Sequence, residues 1–461
     1  MSYLKQLLDL LLTPYGLVGG AIALVLILVF YKQKYRPLHW FLVALTGFTA
    51  SLKEYVDPWT LEPAPALVFP LQQMRTQGRP ITIILLGLLL VIIFLSKNNS
   101  KGSRRKGLIP SPLPYLFFIQ GLVFIKTAVS GSLSFAILAL LTFSGLMAMM
   151  IQGPSRWIET EADFKWGVGA IAMTGMIFAV ANLYQGVIDL HAITFLHGRL
   201  LGTTGNPQHA ATLLAATVPA FLYLIEGEKD RLWLKGIWIG FLALIALGLA
   251  MTGSRTGLGT AVIGVMLFYG FSGKVITRTV LVAMTVGVLA IFFDPVSQWF
   301  LETAGSSVER FSNLSLDTRT GVWQSQWRKF TNHPLFGAPL RGARLGYGEN
   351  SWLATGASLG LMGFIPLLLF GWECLKMMFQ LYEYGNRKPI HQQQCNLVIA
   401  GLLSLLAGSF FEAYLLGNLT FSLMAIVQYL ILGNFMLQLQ RKERLVQESN
   451  MMLGATSTQP S

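Results

Sequence analysis

The sequence predicts an all-α membrane protein, a polytopic transmembrane helical bundle of about 12 to 14 spans with a large exoplasmic loop that carries short interfacial helices. Three observations lead there. Of 461 residues, 53% are hydrophobic and only 12% are charged. The mean hydropathy is +0.57. Apolar stretches long enough to cross a bilayer, which takes about 20 residues, recur from end to end, as in Pro14 to Tyr31, Pro80 to Ser96, Ser132 to Ile151 and Ser351 to Gly371. Their even spread makes 1–461 a single transmembrane domain with no separate soluble unit.

Taken in order, Pro14 to Tyr31 is the first span. It lacks a strongly basic leader and a small-residue cleavage site, so no cleaved signal peptide is expected. Leu38 to Leu52 is short for a span. From Lys97 onward the loops alternate in charge, and cytoplasmic loops are the ones enriched in Lys and Arg. Placing the N-terminus outside collects most of the 34 cations on the inside. Among them are Lys97 to Lys106, Lys229 to Lys235 and the tail 438–461 with Arg441, Lys442 and Arg444. The segment 294–350 then falls outside as the longest polar excursion, between two late spans.

Several function classes are excluded by the same residues. The net charge of +13 is scattered between apolar spans and forms no continuous basic stripe, so nucleic acid is not the expected partner. Cys374 and Cys395 have neither CxxC spacing nor the look of a disulfide framework. His191, His197 and His209 show no metal-ligand spacing, and Gly273-Lys274 is no phosphate-binding loop. No metal and no cofactor is expected. Gly356 and Gly360 form a small-xxx-small pair, which predicts close helix packing.

The informative residues are cations on the side that should hold few. Arg199 lies in a glycine-rich polar segment at the mouth of a span and reads either as a ligand group or as part of a turn. Arg255, in Thr252-Gly253-Ser254-Arg255-Thr256, sits between two apolar runs, where a charge is costly and usually functional. In the long loop, Asp317 to Phe330 reads as a helix along the membrane surface, with Asp317 as N-cap and Val322, Trp323, Trp327 and Phe330 at helical spacing. Arg319 would sit near its positive N-terminus, placed for a phosphate or for a lipid headgroup. Arg341 and Arg344 are further anion-binding candidates. Glu349, just before the span Ser351 to Gly371, reads as a general base, a salt-bridge partner or a helix-dipole residue.

Across roughly Gly198 to Gly363, four pieces occur in a fixed order. They are Arg199 with Asn206-Pro207, then Thr252 to Arg255, then Arg319 with Trp323 and His333-Pro334-Leu335-x-Gly337, then Asn350 with Leu353, Gly360 and Gly363. In these pieces the chain resembles the bacterial O-antigen ligase and O-antigen polymerase superfamily of membrane glycosyltransferases. The resemblance implies metal-independent, inverting transfer of a glycan from a polyprenyl (undecaprenyl) pyrophosphate carrier to an acceptor sugar hydroxyl. The reaction would occur on the outer, periplasmic face of the bacterial inner membrane, in lipopolysaccharide or exopolysaccharide synthesis. It assigns pyrophosphate binding to Arg255 and Arg319, with Arg199 beside them, and points to Asn206, Asn350 and His333 as substrate-binding positions. The family's ligases carry His before the Asn as proposed base. This chain has Glu349 there, which favours a polymerase or another glycan transferase over a ligase. The alternative class is a membrane transporter of a solute or anion such as bicarbonate. Paired broken helices and inverted repeats would favour it, and no repeat is evident.

Overall fold

The computed structural model describes residues 36–53, 64–97, 109–129, 133–195, 198–228, 230–270, 317–339, 349–417 and 419–456. Every regular element among them is helical, in agreement with the predicted class. The longer helices are α1 (Arg36–Ser51), α2 (Gly78–Lys97), α3 (Leu113–Val129), α4 (Leu133–Gln152), α5 (Glu161–Ile188) and α6 (Pro207–Gly227). They continue with α7 (Leu232–Thr252), α8 (Arg255–Tyr269), α9 (Asp317–Asn332), α10 (Ser351–Arg387), α11 (Gln392–Gly408) and α12 (Phe421–Thr456). Among the described residues seven helices, α2, α4, α5, α6, α7, α10 and α12, are long and apolar enough to cross a membrane. The chain is therefore a membrane protein. Helices α3 and α8 are apolar but shorter. The predicted span Pro14 to Tyr31, and residues 271–316 of the stretch before α9, lie outside the described residues.

Helix α6 is the axis of the bundle. Its span is 83% buried, against 22% for the peripheral α7. The reason is composition: Ala210, Ala211, Ala215, Ala216 and Ala220 are all fully buried, and small side chains let neighbouring helices approach closely. A Cβ on Gly257 of α8 would lie 2.3 Å from that of Ala211, and one on Gly175 of α5 would lie 2.8 Å from Thr217 Oγ1. Tyr429 of α12 reaches the same axis and donates to the Ala216 carbonyl at 3.0 Å.

Hydrogen-bonded caps fix where the helices stop. Asn206 accepts from the Gln208 N–H at 2.8 Å, with Pro207 in the first turn of α6. Asn350 accepts from the N–H groups of Trp352 and Leu353 at 2.8 and 3.0 Å at the start of α10. Between α7 and α8 the chain turns in two residues, Gly253 and Ser254. Gly253 takes φ +57°, a left-handed conformation that glycine adopts at no steric cost, and Ser254 then caps α8 by accepting from the Gly257 N–H. The starts of α6, α8, α10 and α12 gather at one end of the bundle with the ends of α1, α7 and α11. At the opposite end Arg36 bonds Asp163 at 2.9 Å and the Trp157 carbonyl at 3.0 Å, and Lys165 pairs with Glu228.

Helix α10 is broken, which the sequence reading did not foresee. Gly360 has φ 63° and ψ −157°, so the 37-residue helix is two helices joined at a kink. The His333-Pro334-Leu335-Phe336-Gly337 segment that follows α9 fills the break. The Leu361 N–H donates to the Pro334 carbonyl at 2.7 Å, and the Met362 N–H to that of Leu335 at 3.3 Å. The Ala338 N–H donates to the Ala357 carbonyl at 2.8 Å. On the other side of the break, Lys126 of α3 donates to the carbonyls of Ser358 and Phe336, placing a cation where the upper half-helix ends. The close helix packing expected of the small-xxx-small pair is met at Gly356 and not at Gly360. Gly356 makes room for the Phe330 ring of α9, 3.3 Å from where a Cβ would stand, and Gly360 admits backbone.

Gly360→Ala is expected to destabilise the protein by at least about 2 kcal/mol, because a left-handed residue gains a side chain 2.5 Å from the Leu335 backbone. Gly259→Ala, whose Cβ would meet nothing within 4 Å, is the control. Thermal unfolding in detergent checks both. An unchanged melting temperature in Gly360→Ala would show that the break is not held as described.

Candidate functional site

Arg319 is the centre of the polar chemistry. It sits in the first turn of α9, which packs along α10 with the Phe330 ring against Phe364 and Gly356, while Trp323 lies against Phe411 and Trp327 is 54% exposed. Its Nη1 donates to Thr256 Oγ1 at 3.0 Å, its Nη2 donates to Glu412 Oε1 at 3.0 Å, and its Nε lies 3.3 Å from Glu349 Oε2. The guanidinium also lies 5.9 Å from the centre of the Phe411 ring. One cation therefore serves two carboxylates, both largely buried, with side-chain exposures of 15% for Glu349 and 11% for Glu412.

Both carboxylates are held by the same joint. Ser351, the first residue of α10, donates its hydroxyl to the Glu412 carbonyl at 2.7 Å and its N–H to the Ser409 carbonyl at 2.9 Å. Trp352 stacks on Phe410 with ring centres 5.0 Å apart and donates its indole N–H to Ser409 at 2.9 Å. The start of α10 and the connection after α11 are thus one unit, and Glu349 and Glu412 project from its two strands of chain. Glu349 Oε2 is buried and receives no hydrogen bond from the described residues, because the Arg319 contact is an ion pair without hydrogen-bond geometry.

Two negative groups on one guanidinium cannot both stay ionised cheaply. Burial pushes the Glu412 carboxyl up to about 8. Arg319 opposes that rise, Glu349 adds to it, and Arg199 lowers it, which places Arg199 within electrostatic reach of the same carboxyl. Arg199 is fixed by donating from Nε to the Thr252 carbonyl at 2.8 Å, at the last residue of α7. Arg255 is the first residue of α8, exposed, and adjacent to the Thr256 that Arg319 holds. The three arginines named from sequence are therefore gathered around the α7–α8 corner, with the positive end of α8 among them.

Not every predicted residue joins them. His333 is exposed and belongs to the segment that fills the break in α10, where its carbonyl accepts from the Gly337 N–H at 2.9 Å. The amide oxygens of Asn206 and Asn350 are taken by helix caps. Arg341 and Arg344 lie outside the described residues. Sequence reasoning missed Glu412 and Thr256. The signal for Glu412 was present, since it is the only Asp, Glu, Lys or Arg between Lys388 and Arg441.

Beside Glu412 a cavity of about 110 Å³ opens between the end of α1, the starts of α2, α6 and α12 and the middle of α4, and Arg319 does not line it. Lys53, Arg79, Gln208, His209 and several threonine hydroxyls line it, and Glu412 is the only carboxylate among the described residues that do. No cluster of His, Cys, Asp or Glu among the described residues has metal-binding geometry. No model of a protein family matches the chain, and no curated protein matches it.

The Glu412 shift has a testable sign. Its folded-state value lies above its ordinary 4.5, so its contribution to stability is complete below about pH 4.5 and is lost as pH rises through about 8. The melting temperature of the wild-type protein minus that of Glu412→Gln is expected to fall across this range. A difference that stays flat or rises would contradict the neutral-acid assignment.

Proposed function

We propose that the protein is a membrane glycosyltransferase of the O-antigen polymerase or ligase type, which moves a glycan from a polyprenyl pyrophosphate to an acceptor sugar hydroxyl. One observation carries the reading: Arg199, Arg255 and Arg319 come from separate stretches of chain and meet at the positive end of α8. Planar guanidinium groups suit a diphosphate, since each can donate two parallel hydrogen bonds to it. In this proposal the chain has about 12 to 14 spans, with 294–350 on the exoplasmic face of the bacterial inner membrane and 438–461 in the cytoplasm. Arg341 and Arg344 would add to the donor site from that loop.

The acceptor oxygen attacks the anomeric carbon, the bond from that carbon to the pyrophosphate oxygen breaks, and the configuration inverts. Glu349 takes the hydroxyl proton. Its buried oxygen without a donor is what such a hydroxyl would satisfy. Negative charge grows on the departing pyrophosphate in the transition state. The arginines and the α8 N-terminus are aimed there in advance, so little reorganisation is needed. No metal or cofactor has a step in this scheme.

The broken α10 gives the transporter reading its one specific support, because discontinuous helices form ion sites in transporters. Here the exposed backbone at the break is already met by Pro334, Leu335 and Lys126. That favours a structural joint over an ion site.

Arg319→Ala and Arg255→Ala are each expected to lower transfer at least about a hundredfold, in line with the loss of a group that stabilises developing charge. The assay uses purified protein with a synthetic polyprenyl-pyrophosphate oligosaccharide and follows glycan length and attachment by mass spectrometry. Wild-type activity that survives in both variants would overturn the proposal. So would uptake of labelled bicarbonate by liposomes without any transfer.

A further inference from the structure

We infer that the cavity bounded by Lys53, Arg79, His209 and Glu412 binds a sugar ring of the acceptor, with the Glu412 carboxyl hydrogen-bonding to it. This rests on the transferase reading and goes beyond it by separating the acceptor's place from the donor's. The two places share one wall. Arg319 belongs to the proposed donor site and Glu412 lines the cavity, and the two are joined at 3.0 Å through Glu412 Oε1. That oxygen is occupied as an acceptor, which leaves Oε2 for a sugar hydroxyl.

The lining has the chemistry of a carbohydrate site. Thr142, Thr212 and Gln208 offer hydroxyl and amide groups, and Phe143 and Phe421 offer apolar ring faces. Several of these hydroxyls already donate to backbone carbonyls, as Thr212 does to His209 at 3.1 Å. They therefore present lone pairs inward and can accept from sugar hydroxyls. A carboxylate at this wall would instead compete with a diphosphate for Arg319. A neutral acid leaves Arg319 free to change partners, and it supplies the donor that a ring or hydroxyl oxygen requires.

The groups facing Glu412 are Arg319 from α9, Glu349 before α10, Arg199 beside the α7–α8 corner, Tyr414 in its own connection, and Lys53, Arg79 and His209 across the cavity. Burial holds its carboxyl at about 8 despite the arginines. Transfer should accordingly decline above about pH 8 as the acid ionises and binds Arg319 more tightly.

The test uses the full-length protein in liposomes. A polyprenyl-pyrophosphate tetrasaccharide serves as donor, and the soluble tetrasaccharide released from it serves as acceptor. Thr142→Leu and Thr212→Leu, on different helices, narrow the cavity. Each is expected to raise the acceptor KM at least tenfold and to leave the donor KM within threefold. Glu412→Ala should lower the rate at least a hundredfold at pH 7, Glu412→Gln should recover at least tenfold of that, and the alkaline decline should vanish in Glu412→Gln. Equal changes in both KM values, or equal losses in the Gln and Ala variants, would overturn the acceptor site while leaving the transferase reading intact. A wild-type protein that transfers nothing would overturn both.

Discussion

A single guanidinium held between two carboxylates organises one end of this protein. Arg319 draws together the first turn of α9, the corner between α7 and α8 through Thr256, the start of α10 through Glu349, and the connection after α11 through Glu412. Removing a charge from water costs several kcal/mol unless partners replace the lost hydration. Arg319 recovers that cost by touching all of these segments at once. They cannot separate without stranding a buried ion. Burial of the carboxylate at this junction raises the Glu412 carboxyl above its ordinary value, and Glu349 adds to the rise.

That convergence depends on the bundle beneath it. The alanine-lined α6 allows α8 to approach until Gly257 lies against Ala211, and so brings the α7–α8 corner over the axis. Backbone groups at helix ends need partners wherever water is scarce. Asn206, Ser254 and Asn350 supply them at the starts of α6, α8 and α10. The site is therefore built largely from helix termini, where N–H groups and their partial positive charge are available without a further side chain.

Much of the architecture was legible because burial in lipid leaves a simple mark, a long apolar run, and α2, α4 and α10 begin within a few residues of the runs that predict them. Arg199, Arg255 and Arg319 were legible for the complementary reason, as charges where charge is costly. Glu412 escaped notice because a lone carboxylate in an apolar connection has meaning only with its partner, and Arg319 is 93 residues away in sequence. Lys53, Arg79 and Lys126 stand in the sequence simply as cations near span ends. Spacing cannot tell a cation facing headgroups from one lining a cavity or ending a half-helix. Asn206 and Asn350 show the reverse ambiguity, since residues marking a resemblance to an enzyme family also cap helices. The kink at Gly360 leaves no local trace, because the strand of chain that fills it arrives from another part of the sequence.

That kink has a mechanical consequence. An unbroken rod of 37 residues would carry strain from one face of the bundle to the other. With its ladder interrupted at Gly360, the short upper piece is tied to α9 and the motif after it, while the lower piece packs against α11 and α12. Lifting the outer helix would strip two amide donors and leave the lysine without its carbonyl acceptors. The motif after α9 therefore acts as a latch, and whatever force bends the outer helix is spent at that joint before it reaches the far side.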